Sequence, residues 1–543
     1  MGTTTQTRIS LGLDFGTEAV RALLVDLAGN ECASVAVKYK HGQITQTLPG
    51  SSKPLPNDAA LQHPADWLDA AARATRRAMK EAGVSAEQVV GIGVDFTSCT
   101  MLPALADGTP LCLVNGFEGQ AYAWPKLWKH HGAQEQADRI TALAKRRKET
   151  WIDRYGGEIG LEWFFPKILE TLEKAPKVYE AAEVWLEAGD WFVWQLAGLP
   201  VKELPRSTCQ AGYKGMWSAG DGFPTAAFFK ALDKRMANVV RDKMPGKLFA
   251  PGQRVGGLSK SMARKFGLAP GTAVSAAIID AHAGLIGAGV SGAGTMVMVM
   301  GTSSCHMINA KVEKIVPGVA GVVDGGMLPG YFGYETGQAA VGDAFAWLLK
   351  LVGQKDFKHI TEQAMHLPAG SEGVRCVDWF NGCRTPLMDG NLRGAFAGLS
   401  LSHGPGHLYR SLLEASACGV RWIVERMRDG GVPVRKYIAT GGLPHHNPLM
   451  VQTYADILGS SIMVHPSTQG PALGAAILGA VAAGKKETGF GSIGSAIKTM
   501  SAPAAVGGKV YQPDRKQRKA YDTVYTDYLN FADWASQGRA RKI

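Results

Sequence analysis

A hairpin with a Gly-Thr turn occurs twice in this chain. Ile9 to Phe15 reads as a strand, turns at Gly16-Thr17, returns through Val20 to Asp26, and turns again at Gly29-Asn30 into Glu31 to Lys40. In the second half, Thr295 to Met300 runs into Gly301-Thr302-Ser303-Ser304 and returns through Cys305 to Ile308. Each stretch predicts an antiparallel meander. Helical periodicity follows each, at Ala65 to Ala82 and at Gln338 to Val352, and alternates with apolar strands such as Val89 to Val94 and Tyr437 to Thr440. Strands first, then helices alternating with strands, predict layered α/β lobes. A chain of 543 residues, 46% hydrophobic, is too long for one ordinary domain, so two lobes with a cleft between them are expected. The first covers 8–285, with a Trp-rich helical insertion at about 121–222. The second covers 286–500, and a helical tail covers 501–543.

Composition removes several function classes. The eight cysteines are scattered with no C-x-x-C pair, which points to reduced thiols and a cytoplasmic setting. The opening residues lack an apolar signal core, and the most apolar runs are interrupted or too short to span a bilayer, so neither export nor a membrane partner is expected. A formal charge of +11 is spread without interleaved aromatics, which predicts a solvated basic surface and no nucleic-acid partner. There is no G-x-x-x-x-G-K-[ST]. Gly287 to Gly292 fits G-x-G-x-x-G, but it follows a helical segment and leads into a strand, the reverse of a dinucleotide site.

Three places carry phosphate or proton chemistry. Asp14-Phe15-Gly16-Thr17, with Arg21 beyond it, puts a carboxylate at a strand end beside a turn whose N–H groups and hydroxyl can face a phosphate. By itself this is also an ordinary hairpin turn; Gly301-Thr302 supplies the second side of a polyphosphate cradle. Gly441-Gly442 ends the strand Lys436 to Thr440, where a flat base or ribose can lie on the backbone, and Asn447 precedes a helix over Pro448 to Leu458. His445 and His446 lack a third metal ligand nearby and read as loop histidines. Asp280, in the apolar run Ile278-Ile279-Asp280-Ala281-His282, is either a helix cap or a general base. His282 reads as structural.

Taken together these residues resemble the FGGY family of carbohydrate kinases, from Leu11 to about Gly484. The closing segment Gly441 to Asp456 and the run Gly470-Pro471-Ala472-Leu473-Gly474-Ala475-Ala476 are similar to the family's C-terminal signature. The resemblance implies a two-lobed, actin-like (ribonuclease H-like) ATPase fold. It implies ATP held by Gly16, Thr17, Arg21, Gly301, Thr302, Gly342, Gly441, Gly442 and Asn447, Mg²⁺ at Asp14 and Asp280, and Asp280 as the catalytic base. Gly93 to Thr100, Gly212 to Trp217 and Tyr334 to Gln338 resemble members that phosphorylate ribulose. That implies a ketopentose substrate, L-ribulose in L-arabinose breakdown, bound by Ser98, Trp124, Lys214, Asp280 and Glu335. Homo-oligomerisation, as a dimer, is expected. D-ribulose, ribitol or xylulose are the alternative substrates, and a nucleotide switch with protein partners is the alternative class.

Overall fold

A computed structural model describes residues 7–539. The opening meander consists of β1 (Ile9–Phe15), β2 (Ala19–Asp26) and β3 (Glu31–Lys38). β4 (Val89–Phe96) lies parallel to β1 on its other side, and Ala273–Ser275 is parallel to β4. The second half repeats the plan. β5 (Thr295–Met300), β6 (Ser304–Ala310) and β7 (Phe332–Gln338) form an antiparallel meander. β8 (Lys436–Thr440) is parallel to β5, and Ile462–Val464 is parallel to β8. Each half is therefore a mixed sheet whose central strand carries a hairpin on one side and parallel strands on the other. The sheets have this form because an antiparallel return needs only a turn, whereas the parallel additions need helical crossovers. Pro64–Ala82 supplies one and Pro405–Asp429 another.

The sequence reading fails at three boundaries. Gln338 ends β7 and the helix begins only at Gly342, because the backbone N–H groups of Val341, Gly342 and Asp343 bond to the carbonyls of Gly301 and Thr302. The helical insertion begins directly after β4 and continues past Gly222 through helices Ala226–Leu232 and Val239–Lys243. The terminal segment is no separate tail. Lys509–Tyr511 adds a strand to the second sheet, and Arg518–Trp534 packs on that lobe through Tyr521, Val524, Tyr525 and Tyr528. His445 and His446 lie in a short helix, Gly442–His446, rather than a loop.

Two helices join the lobes. α1 (Asp280–Gly287) leaves the first sheet, and α2 (Gly470–Ala483), from the second half, crosses α1 and lies on β1 and β4. The helix can come this close because its contact face is almost bare backbone. A Cβ at Gly93 would lie 1.7 Å from the Ala475 carbonyl oxygen, one at Gly12 2.0 Å from that of Ala472, and one at Gly474 2.0 Å from that of Ala283. This accounts for the apolar run at 471–484, which is a fully packed interlobe helix. Among the described residues no helix is long and apolar enough to cross a membrane. Gly93→Ala is expected to destabilise the protein by about 1–3 kcal/mol, since rigid backbone stands where the methyl would go. Thermal or urea unfolding checks this, and an unchanged midpoint would mean that α2 can shift away from the sheet.

Candidate active site

The strands Gly12-Leu13-Asp14-Phe15 and Gly93-Val94-Asp95-Phe96 are in register, Gly12 against Gly93, Asp14 against Asp95 and Phe15 against Phe96. The glycines face α2, and the phenylalanines stack with centroids 4.6 Å apart. The carboxyls therefore emerge together at the C-terminal ends of adjacent parallel strands. Ile278–Ile279 pairs with Asp95–Phe96, so Asp280 leaves the same end one strand over. Three carboxyl groups converge on one edge of the first sheet.

Their surroundings set them apart electrostatically. Asp95 is fully buried, and outside the Asp14 carboxyl its oxygens have no hydrogen-bond partner among the described residues. Burial, then the charges of Asp14 and Asp280, pushes it well above the usual carboxylate range, so it carries a proton at neutral pH. Burial also raises Asp14, opposed by Arg21, whose Nη1 lies 3.3 Å from Asp14 Oδ2. Burial pushes Asp280 up to about 7, although its Oδ1 accepts a hydrogen bond from Ala281 N at 2.7 Å. A carboxylate so placed can accept a proton near neutrality.

The second lobe reaches this edge through an ion pair. Lys214, at the end of helix Thr208–Lys214, places Nζ 2.7 Å from Glu335 Oε1 on β7. The other Glu335 oxygen lies 3.1 Å from His282 Nε2, and His282 Nδ1 contacts Cys209 Sγ at 3.2 Å. Burial works against the Glu335 charge, but Lys214, His282 and Arg384 hold it well below the usual range. Burial likewise lowers His282, leaving the ring neutral. Asp280 feels the charges of Asp14, Glu335 and Lys214. The ion pair is thus buried next to the three carboxyls and is no surface contact.

Around this centre the two Gly-Thr turns are braced differently. Trp128 Nε1 donates to Thr17 Oγ1 at 3.1 Å, Gln62 Nε2 donates to the Thr17 carbonyl at 2.8 Å, and the Tyr39 hydroxyl donates to the Gly16 carbonyl at 3.0 Å. Thr302 is exposed on a turn fixed to Gly342, where a Cβ would lie 2.6 Å from the Gly301 oxygen. Gly441 has φ 92°, and a Cβ there would lie 2.5 Å from the Met300 oxygen, so its glycine keeps β8 beside β5. Gly442 has open space around it. Ser98 sits in the loop just beyond Asp95, which Thr97 N ties to the Phe15 carbonyl at 3.2 Å.

Two expected site residues are committed elsewhere. Asn447 caps the helix Pro448–Leu458 through Met450 N and donates to the Tyr409 hydroxyl at 2.8 Å, so neither end of its amide is free for a nucleotide. Trp124 is buried in the insertion core with its indole N–H on the Glu118 carbonyl; Trp128 is the indole that touches Thr17. Asp95 and Arg384 went unread in the sequence. The repeated Gly-x-Asp-Phe was the available signal for Asp95, whereas nothing local marks Arg384.

The chemistry of the donor set fits a hard divalent cation. Carboxylate oxygens gather at the phosphate end, one of them with no hydrogen-bond donor, and only Arg21 offsets them there. Two other clusters do not fit a metal. His403 and His407 each accept a backbone N–H at Nδ1, which leaves Nε2 protonated, and His41 and His63 stack at 4.4 Å with nearly parallel rings, so their lone pairs do not converge.

Known proteins place this arrangement. The N-terminal domain of the FGGY family of carbohydrate kinases matches residues 9–287 and its C-terminal domain matches 296–483. A ribulokinase from Shouchella clausii is 44% identical over 98% of this chain and 96% of its own length. A ribulokinase from Mycolicibacterium smegmatis is 41% identical over 96% of this chain and 93% of its own. A xylulose kinase structure from Rhodospirillum rubrum aligns with TM-score 0.79 at 23% identity, covering 96% of this chain and 98% of that one. A glycerol kinase structure with ADP, from Plasmodium falciparum, aligns with TM-score 0.76 at 17% identity, covering 97% and 98%. At those identities the solved structures speak for the fold alone.

Proposed function

The chain belongs to the FGGY family of carbohydrate kinases, and we propose that it is a ribulokinase, transferring the γ-phosphoryl group of ATP to the 5-hydroxyl of L-ribulose. The full-length similarity to ribulokinases supports the substrate class. The observation that carries the chemistry is the convergence of Asp280, its carboxyl pushed up to about 7, with Asp14, Asp95 and the buried Lys214–Glu335 pair.

In this reading ATP lies across the turns at Gly16-Thr17 and Gly301-Thr302, with its adenosine against Gly441 and Gly442. Lys214 and Glu335 hold vicinal hydroxyls by charge-assisted hydrogen bonds, beside Ser98. Asp280 accepts the proton of the attacking hydroxyl. Asp14 and Asp280 would hold Mg²⁺, which when bound neutralises phosphate charge. Asp95, protonated against Asp14, keeps a third negative charge from the anionic substrate. Lobe closure about the α1 and α2 crossing excludes water from the phosphoryl group.

A coupled assay of ADP release with Mg²⁺ against L-ribulose, D-ribulose, D-xylulose, ribitol and glycerol tests the reading. L-ribulose is expected to give the highest kcat/KM. Preference for another sugar would overturn the substrate, and ADP release indifferent to every sugar would overturn the kinase reading.

A further inference from the structure

Arg384 lies far along the chain from every motif above, yet the fold brings it to the site. Beyond Glu335 the free edge of β7 takes up the segment around Thr385. Thr385 N donates to the Gly337 carbonyl at 3.2 Å, and Gly337 N donates to Thr385 Oγ1 at 3.4 Å. Arg384 is thereby laid over Gly337, where a Cβ would stand 3.3 Å from its Nη1. Gly337 pairs with Cys305 on β6, just after the Gly301–Ser303 turn, and Arg384 Nη1 lies 3.6 Å from Cys305 Sγ. In the other direction Glu335 is two residues back on the same strand, about 7 Å away on the same face.

The guanidinium stands between the phosphate turn and the sugar-holding pair, and its charge is not spent. Among the described residues no carboxylate forms an ion pair with it, and its hydrogen-bond partner is the Cys305 thiol. Both Glu335 oxygens are already occupied, by Lys214 and His282. A fixed, two-pronged cation without an anion is matched to a phosphoryl oxygen pair. The group that must pass between the turn and the sugar is the phosphoryl group in flight.

We propose that Arg384 is a further catalytic residue, whose guanidinium binds the phosphoryl oxygens during transfer and then the phosphate of the sugar product. The inference rests on the kinase reading above. Lys214, committed to Glu335, holds the sugar, while Arg384 carries the charge that moves with the phosphate.

The test compares full-length wild type with Arg384→Gln and Arg384→Lys, measuring kcat, ribulose affinity and ribulose 5-phosphate affinity by calorimetry, with melting curves as a fold check. Arg384→Gln is expected to lower kcat by about 10²- to 10³-fold, the loss seen when one aligned transition-state donor is removed. It is also expected to weaken ribulose 5-phosphate at least tenfold while ribulose affinity stays within about twofold. Arg384→Lys, a single point charge, is expected to recover part of kcat. If Arg384→Gln does not fold, Arg384→Lys carries the test alone, with an expected kcat loss of about tenfold or more at unchanged ribulose affinity. A kcat within threefold of wild type, or equal loss of ribulose and ribulose 5-phosphate affinity, would overturn the proposal. A wild type that phosphorylates no sugar would instead overturn the kinase reading.

Discussion

Asp280→Asn is expected to lower kcat by about 10³- to 10⁴-fold while the affinity for ATP and for sugar changes little. The substitution is chosen because asparagine keeps the shape and the acceptor that Ala281 N uses at the start of α1, so the helix is not unmade. What it removes is the only proton acceptor of the right strength at this edge. Asp95 is protonated, Asp14 faces Arg21, and Glu335 is held too acidic by Lys214 to take a hydroxyl proton. Pre-steady-state kinetics with calorimetric binding of ATP and ribulose separate chemistry from binding. A kcat within tenfold of wild type would remove Asp280 as the base.

Much of this site was legible because it is made of strand ends. A carboxylate closing an apolar strand before a Gly-Thr turn is a local signal, and it placed Asp14 and both turns. Asp95 carries the same signal in Gly93-Val94-Asp95-Phe96, and comparison of the two strand ends would have found it. The register that makes Asp14 and Asp95 neighbours is set by a helix some 380 residues downstream, whose backbone needs glycine at both 12 and 93. Single-strand reading cannot see that pairing. Asn447 was misread for the opposite reason: an Asn before a Pro at a helix start is a cap on local grounds, and the structure gives its amide to that task. Arg384 lacked any local mark, because its place depends on a free strand edge and on where Glu335 spends its oxygens.

Breaking the Lys214–Glu335 pair is the second large effect, and it separates folding from function. Lys214→Met leaves a buried Glu335 carboxylate beside a neutral His282, which is expected to cost about 3–5 kcal/mol of stability. It is also expected to raise the ribulose KM by about 10²-fold or more, through loss of a charge-assisted hydrogen bond to the sugar. The double variant Lys214→Met with Glu335→Leu removes both charges, and apolar replacements of buried pairs are often neutral or stabilising. Its melting temperature should therefore return close to wild type, while ribulose binding stays lost. Recovery of both would make the pair a structural bolt between the lobes and move sugar recognition to Ser98 and Asp280. Recovery of stability alone assigns the pair to the sugar, because a contact kept only for folding has no reason to be ionic where an apolar one folds as well.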